Sequence, residues 1–128
     1  MDHDAVLATI RESLRAIAVP RLLETERGYQ GALISELSKQ LPQLRIIEQG
    51  ALVEQEYQKR LADHGLTIRP DLIIHVPFDP ARHADRTQGN IVVFELKRRA
   101  SAREARQDFQ NLCAMMRVLH YPVGIFIN

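Results

Sequence analysis

A single cysteine, Cys113, among 128 residues excludes an internal disulfide framework and fits a reducing, cytoplasmic setting. Long apolar runs are missing as well. Stretches such as Ile91–Phe94 span only a few residues, so no transmembrane helix is expected. Neither sign of charge dominates: 17 Lys and Arg against 16 Asp and Glu leave a formal charge of +1. That excludes a histone-like polybasic binder, and any contact with nucleic acid must come from local clustering. Lysine is scarce, 3 residues against 14 arginines, so a lysine at a special position stands out. There is no internal repeat, no Gly-rich phosphate loop and no nucleophile elbow. His3, His64, His75, His83 and His120 are dispersed without Cys/His spacing, so a zinc site is not expected. The acidic Met-Asp-His-Asp start leads into an amphipathic pattern and does not read as a secretory signal.

What is present is the composition of a folded domain, 45% hydrophobic and 26% charged, long enough to bury one core. Residues 1–128 read as a single domain. Asp4 is expected to cap a first helix carrying Val6, Leu7, Ile10, Leu14 and Ile17 at helical spacing. Pro20 fits the first turn of a second helix that runs to about Gln40 on Leu22, Tyr29, Leu33, Leu37 and Leu41, with Pro42 closing it. Leu44–Glu48 reads as a short strand. Ala51–Asp63 suits either a short helix or an extended excursion.

Leu66–Val76 reads as a strand interrupted by Pro70, and 77–90 as a polar loop. Ile91–Lys97 is apolar on both faces at its start, which predicts a central strand covered twice. Ser101 and Glu104 form a capping box for a helix with the stripe Ala105, Phe109, Leu112, Met116 and Leu119. Pro122 breaks that helix, and Val123–Ile127 makes a last strand. The fold class is therefore α/β, with helices flanking a mixed central sheet.

Three charged positions break the burial pattern. Alternation along the strand puts Glu95 and Lys97 on the face of Ile91 and Val93, where a carboxylate and an ammonium are costly unless paired or used. Asp71 opens an apolar strand just after Pro70. If the two strands are hairpin neighbours, Asp71 and Glu95 converge. At ~5 Å and an effective dielectric of ~20 their repulsion is about 3 kcal/mol, and a divalent cation such as Mg²⁺ reverses its sign. Glu26 is the third. At about 100° per residue it lies some 40° from Leu22, on the flank meant to face the sheet.

Glu26 on a core helix, Pro70-Asp71 opening a strand, and Glu95-Leu96-Lys97 ending the next resemble the PD-(D/E)XK nuclease superfamily. The resemblance covers roughly 20–128, with 1–19 as an extra N-terminal helix. It implies an αβββαβ, restriction-endonuclease-like core and a metal-dependent phosphodiesterase. Asp71, Glu95 and the Leu96 carbonyl would hold Mg²⁺, with Mn²⁺ as a substitute, and Lys97 would orient the attacking water and stabilise the phosphorane-like charge. Glu26 would act through metal-bound water or a second cation, and Gln30, one turn on, would help position this shell or simply form a polar flank.

Arg98, Arg99, Arg103 and Arg106 surround the start of the last helix, whose N–H groups and dipole also favour phosphate. Arg103, Arg106, Gln110 and Arg117 fall on one face of that helix, away from Phe109. Arg82, His83 and Arg86 are read as solvated. Cys113 and Met116 are read as core, and Asp108 as a surface or ion-paired flank. His75 shares Asp71's face but lies roughly 13 Å away along the strand.

The first reading is a Mg²⁺-dependent DNA endonuclease, requiring a partner or a homodimer, assembled through the extra helix, to cut both strands of a duplex. The alternatives are a catalytically idle nucleic-acid-binding or assembly domain of the same fold, and an RNA-cleaving toxin.

Overall fold

Helix starts are decided by which residue leaves helical geometry and turns its side chain back on the exposed N–H groups. In the computed structural model, which describes residues 2–17, 24–44, 50–55, 70–85 and 87–127, the first such residue is Asp2. Its Oδ1 accepts from the Asp4 and Ala5 amides at 3.0 and 3.2 Å. Helix α1 therefore spans His3–Ala16. Asp4, the expected cap, sits inside the first turn, where its charge favours the helix dipole. Val6 and Ile10 of α1 are buried within the chain, and Ser13 is buried with its hydroxyl donating to the Thr9 carbonyl. The exposed side of α1 is the polar one, so a second copy docking there would meet charges rather than the apolar stripe.

Thr25 plays the same part for α2, Glu26–Gln40. Its backbone is extended (φ −133°, ψ 151°), and its hydroxyl accepts from the Gly28 amide at 2.9 Å. An uninterrupted helix from Pro20 is thereby overturned, while 18–23 lie outside the described residues. Pro42 falls in a 3₁₀ turn, Leu41–Gln43, that closes α2 as expected.

The expected strand Leu44–Glu48 is not seen at Leu44, and 45–49 lie outside the described residues. Strand β1 is instead Leu52–Gln55, within the segment whose spacing left helix and extended chain open. Pairing decided it: β1 runs antiparallel to β2, Leu72–His75, which runs antiparallel to β3, Asn90–Leu96. Helix α3, Ala102–Leu119, returns the chain to β4, Val123–Ile127, parallel to β3. The result is a mixed α/β sheet in the order β1-β2-β3-β4. Of the expected strand Leu66–Val76, only Leu72–His75 pairs among the described residues; 66–69 lie outside them, and Pro70 is buried just before the strand.

Each face of the sheet has its own core. Leu33 and Leu37 of α2 pack with Leu72, Ile74, Val92, Phe94 and Leu96 on one face. Leu112, Met115, Leu119 and Tyr121 pack with Ile73 and Val93 on the other. β3 is buried along its whole length, as its two-sided apolar pattern predicts. Ile91 departs from the expected alternation. The β2–β3 register shifts between Ile74 and His75, leaving Ile91 as the extra residue, and it joins Val92 in the first core instead of Val93 in the second.

Helix α3 is turned relative to the expected stripe. Burial follows Leu112, Met115 and Leu119, while Phe109 is 54% exposed and leans on Phe126 with ring centroids 5.2 Å apart. Cys113 is exposed rather than core, and Met116 is half-buried. The Ser101–Glu104 capping box is formed. At the far end Asn90 Nδ2 donates to the Leu119 carbonyl at 2.6 Å, fixing the last turn of α3 to the first residue of β3.

In the 76–89 connection His83 is buried, not solvated. Its Nδ1 accepts from the Asp79 amide at 3.1 Å and its ring lies against Phe78. Arg82 is exposed, as expected, and Arg86 lies outside the described residues. Gly89 closes this loop at φ +84°, with its carbonyl accepting from the Val76 amide at 2.8 Å. A Cβ here would come 2.6 Å from the Val76 carbonyl oxygen. Gly89→Ala is therefore expected to destabilise by about 2 kcal/mol or more, lowering the melting temperature by on the order of 10 °C. An unchanged melting curve would contradict this packing.

Candidate functional site

The antiparallel register that pairs Leu72 with Phe94 brings Asp71 beside Glu95 when continued by one residue. The pair sits where β2 begins and β3 ends. Asp71 Oδ2 accepts from the Leu96 amide at 2.7 Å, and the Asp71 carbonyl accepts from Gln30 Nε2 at 2.9 Å. Gln30 is thus no idle flank: α2 holds the backbone at the residue that carries the carboxylate.

Glu95 is only 8% exposed. Burial first, then the neighbouring Asp71 charge and a side-chain hydrogen bond to it, push the Glu95 carboxyl up to about 9. Glu95 therefore keeps its proton at neutral pH, hydrogen-bonded to the Asp71 side chain. Carboxylates in contact at a strand end form a donor set that a proton or a hard cation can bridge, and Mg²⁺ fits that chemistry. Among the described residues, no three His, Cys, Asp or Glu side chains converge to hold a metal ion. A cation at the pair would have to draw its further ligands from backbone carbonyls and water.

Lys97 follows β3 by one residue. Its amide donates to the Ile127 carbonyl at 2.9 Å, and its Nζ lies 3.7 Å from Glu104 Oε2 in a half-exposed ion pair. Its charge opposes the upward push on Glu95. Glu26 opens α2 from the other side of the sheet and is exposed. Its Oε1 accepts from the Arg98 amide at 2.9 Å, tying the start of α2 to the chain just past β3. Thr25, Glu26, Tyr29, Leu96, Lys97, Arg98 and Ile127 line a cavity of about 220 Å³ at this end of the sheet.

Asp71, Glu95, Lys97, Glu26 and Gln30 thus gather at one end of β2 and β3, with Glu26 engaged by backbone rather than by the carboxyl pair. Arg98, Arg99, Arg103 and Arg106 are all exposed around the β3–α3 turn and the first turns of α3. Arg99 takes a positive φ of 55°, a conformation that costs a non-glycine residue about 1–2 kcal/mol and lets the chain reverse within a few residues. His75 is fully buried, with Nε2 3.2 Å from Glu54 Oε1 across the β1–β2 pair, and belongs to the sheet interior rather than to the Asp71 end.

The residue assigned least by sequence is Asp108. It is half-buried, burial pushes its carboxyl up, and the charges around it are Lys97, Asp71, Glu104 and Glu26. It faces the site because the buried side of α3 runs through Leu112, Met115 and Leu119. The same spacing extended one turn back arrives at Asp108, a signal that the Phe109-centred stripe hid.

No protein-family model matches this sequence, and no curated protein and no solved structure matches it.

Proposed function

We propose that this chain is a Mg²⁺-dependent nuclease of the PD-(D/E)XK kind that hydrolyses phosphodiester bonds, with DNA as the substrate and αβββαβ as its core. The observation that carries the reading is the contact between the Asp71 and Glu95 carboxyls at the strand ends, with Lys97 two residues beyond Glu95. The element order from α2 to β4, with α1 preceding it, is compatible with that core.

In this reading Asp71, Glu95 and the Leu96 carbonyl hold the cation. The metal, when bound, lowers the pKa of a water and offsets phosphate charge. Asp71 is held rigid for this by the Leu96 amide and, through its carbonyl, by Gln30. Lys97 supplies a positive charge beside the reacting phosphate. Glu26 fixes the turn after β3 through the Arg98 amide. The four arginines and the first N–H groups of α3 attract the flanking phosphates.

The test is incubation of the protein with plasmid, linear duplex, single-stranded DNA and RNA, with Mg²⁺, with Mn²⁺ and with EDTA. Metal-dependent cleavage of DNA is expected, lost in Asp71→Ala. Cleavage of RNA alone would move the reading to a ribonuclease. A folded protein that cuts none of these, yet binds DNA, would replace the enzyme with a binding domain.

A further inference from the structure

The ridge Glu104, Asp108, Leu112 on α3 advances about 6 Å per four residues, close to the roughly 6.7 Å per two residues of the row Lys97, Glu95, Val93 on β3. The two elements run in opposite directions and are fastened at both ends. Asn90 at the start of β3 bonds the Leu119 carbonyl at the end of α3, and Lys97 past the end of β3 pairs with Glu104 in the first turn of α3. Between these fastenings Leu112 and Val93 share a core. Asp108 is left between the Lys97–Glu104 and Val93–Leu112 steps, half-buried, one turn inward of Glu104.

Lys97 carries a long flexible stem: its Nζ is paired with Glu104, while Asp108 interacts with it through space without an ion pair. Glu104 draws Lys97 outward and is itself tethered, since Oε1 also accepts from the Ser101 amide at 3.3 Å. Asp108 lies on the inward side, with the Asp71–Glu95 pair. From this arrangement we infer that Asp108 is a positioning residue for Lys97, drawing its ammonium from the Glu104 pairing seen in the structure inward toward the carboxyl pair. The inference rests on the nuclease reading and adds to it a residue of α3 that the Asp…Glu-x-Lys pattern does not contain. Asp108 acts through Lys97 and not as a ligand, in keeping with the absence of any three-carboxylate cluster among the described residues.

The test uses the full chain as wild type, Asp108→Asn, Asp108→Glu, Lys97→Ala and the Asp108→Asn/Lys97→Ala double variant. Asp108→Asn is expected to lower kcat about 10- to 100-fold, the scale of a misplaced catalytic group. KM for the cleaved DNA and the Mn²⁺ dissociation constant should move less than about threefold, well below the roughly 10- to 100-fold effect of losing a residue that supports a metal ligand directly. Asp108→Glu should recover part of the loss. The double variant should be no worse than Lys97→Ala, because the two act as one unit.

A readout independent of activity is acylation of the metal-free protein, followed by peptide mass spectrometry. Lys97 should label several-fold faster in Asp108→Asn, with Lys39 and Lys59 unchanged as internal references. Additive losses in the double variant, a Mn²⁺ constant weakened tenfold or more, or Lys97 labelling unaltered would each overturn the inference. Wild-type protein that cleaves and loses cleavage in Lys97→Ala, while Asp108→Asn retains it, sinks this inference alone. Wild-type protein that cleaves nothing sinks the nuclease reading and this inference with it.

Discussion

Glu95→Gln is expected to raise the melting temperature of the metal-free protein at pH 8 and to leave it nearly unchanged at pH 4.5. An unfolded Glu loses its proton near 4.5, whereas the folded Glu95 keeps it up to about 9, held by burial and by the Asp71 charge. Across that window the folded state binds more protons than the unfolded one. Its stability is therefore full below 4.5, falls as pH rises, and reaches its lowest value above 9. Glutamine is neutral throughout and can donate its amide to Asp71 as the protonated Glu95 does. The gain at pH 8 is on the order of 2–4 kcal/mol, or roughly 10 °C in melting temperature. Scanning calorimetry from pH 4 to 9 checks it, and parallel curves for the two proteins would refute the raised Glu95 carboxyl. Mn²⁺ should stabilise the wild type and do little for the variant, since a ligand of the native state alone stabilises by mass action.

Lys97→Ala is expected to do the opposite, leaving stability alone and removing activity. The side chain is 38% exposed and its ion pair with Glu104 is long, at 3.7 Å, so the loss in stability is within about 0.5 kcal/mol. Cleavage should fall about 10²- to 10³-fold, the scale of removing one donor to transition-state charge. Single-turnover cleavage under saturating Mn²⁺, beside a thermal melt of the same sample, reads both. Lys97→Arg should recover little, because a planar guanidinium does not occupy the position of a compact ammonium. A variant that unfolds would contradict the stability expectation, and a folded one that cleaves at the wild-type rate would remove Lys97 from the proposed chemistry.

How much of this was legible in the sequence depended on whether a feature is local. The convergence of Asp71 and Glu95 follows from β2 and β3 being antiparallel neighbours, the one assumption it needed, and from alternation that holds from Val92 onward. Gln30 was legible as a neighbour of Glu26, but its partner is a backbone carbonyl 41 residues away, which no pattern encodes. The β2–β3 bulge moved Ile91 to the other core, and alternation has no means of marking an inserted residue. Leu52–Gln55 is a strand because β2 lies beside it; four residues are too few for a period to distinguish helix from strand. Asp2 took the cap from Asp4 because its carboxylate reaches the Asp4 and Ala5 amides; two acids two residues apart give the burial pattern nothing to choose by. On α3 the aromatic Phe109 drew the stripe toward itself, although Phe109 is exposed and Asp108 turns inward.

The parallel pairing of β3 with β4 has a consequence for how the molecule is made. β3 can join β2 through the 76–89 connection as soon as it is synthesised, but its other edge is covered only after α3 has formed and β4 has returned beside it. Until then Ile91–Phe94 presents an uncharged edge of free amide and carbonyl groups, a template for any passing strand. The Lys97 amide likewise gains its partner only when Ile127 arrives. The site is completed by the last strand to form, and a nascent or truncated chain lacking it would be prone to self-association before it could be a functional domain.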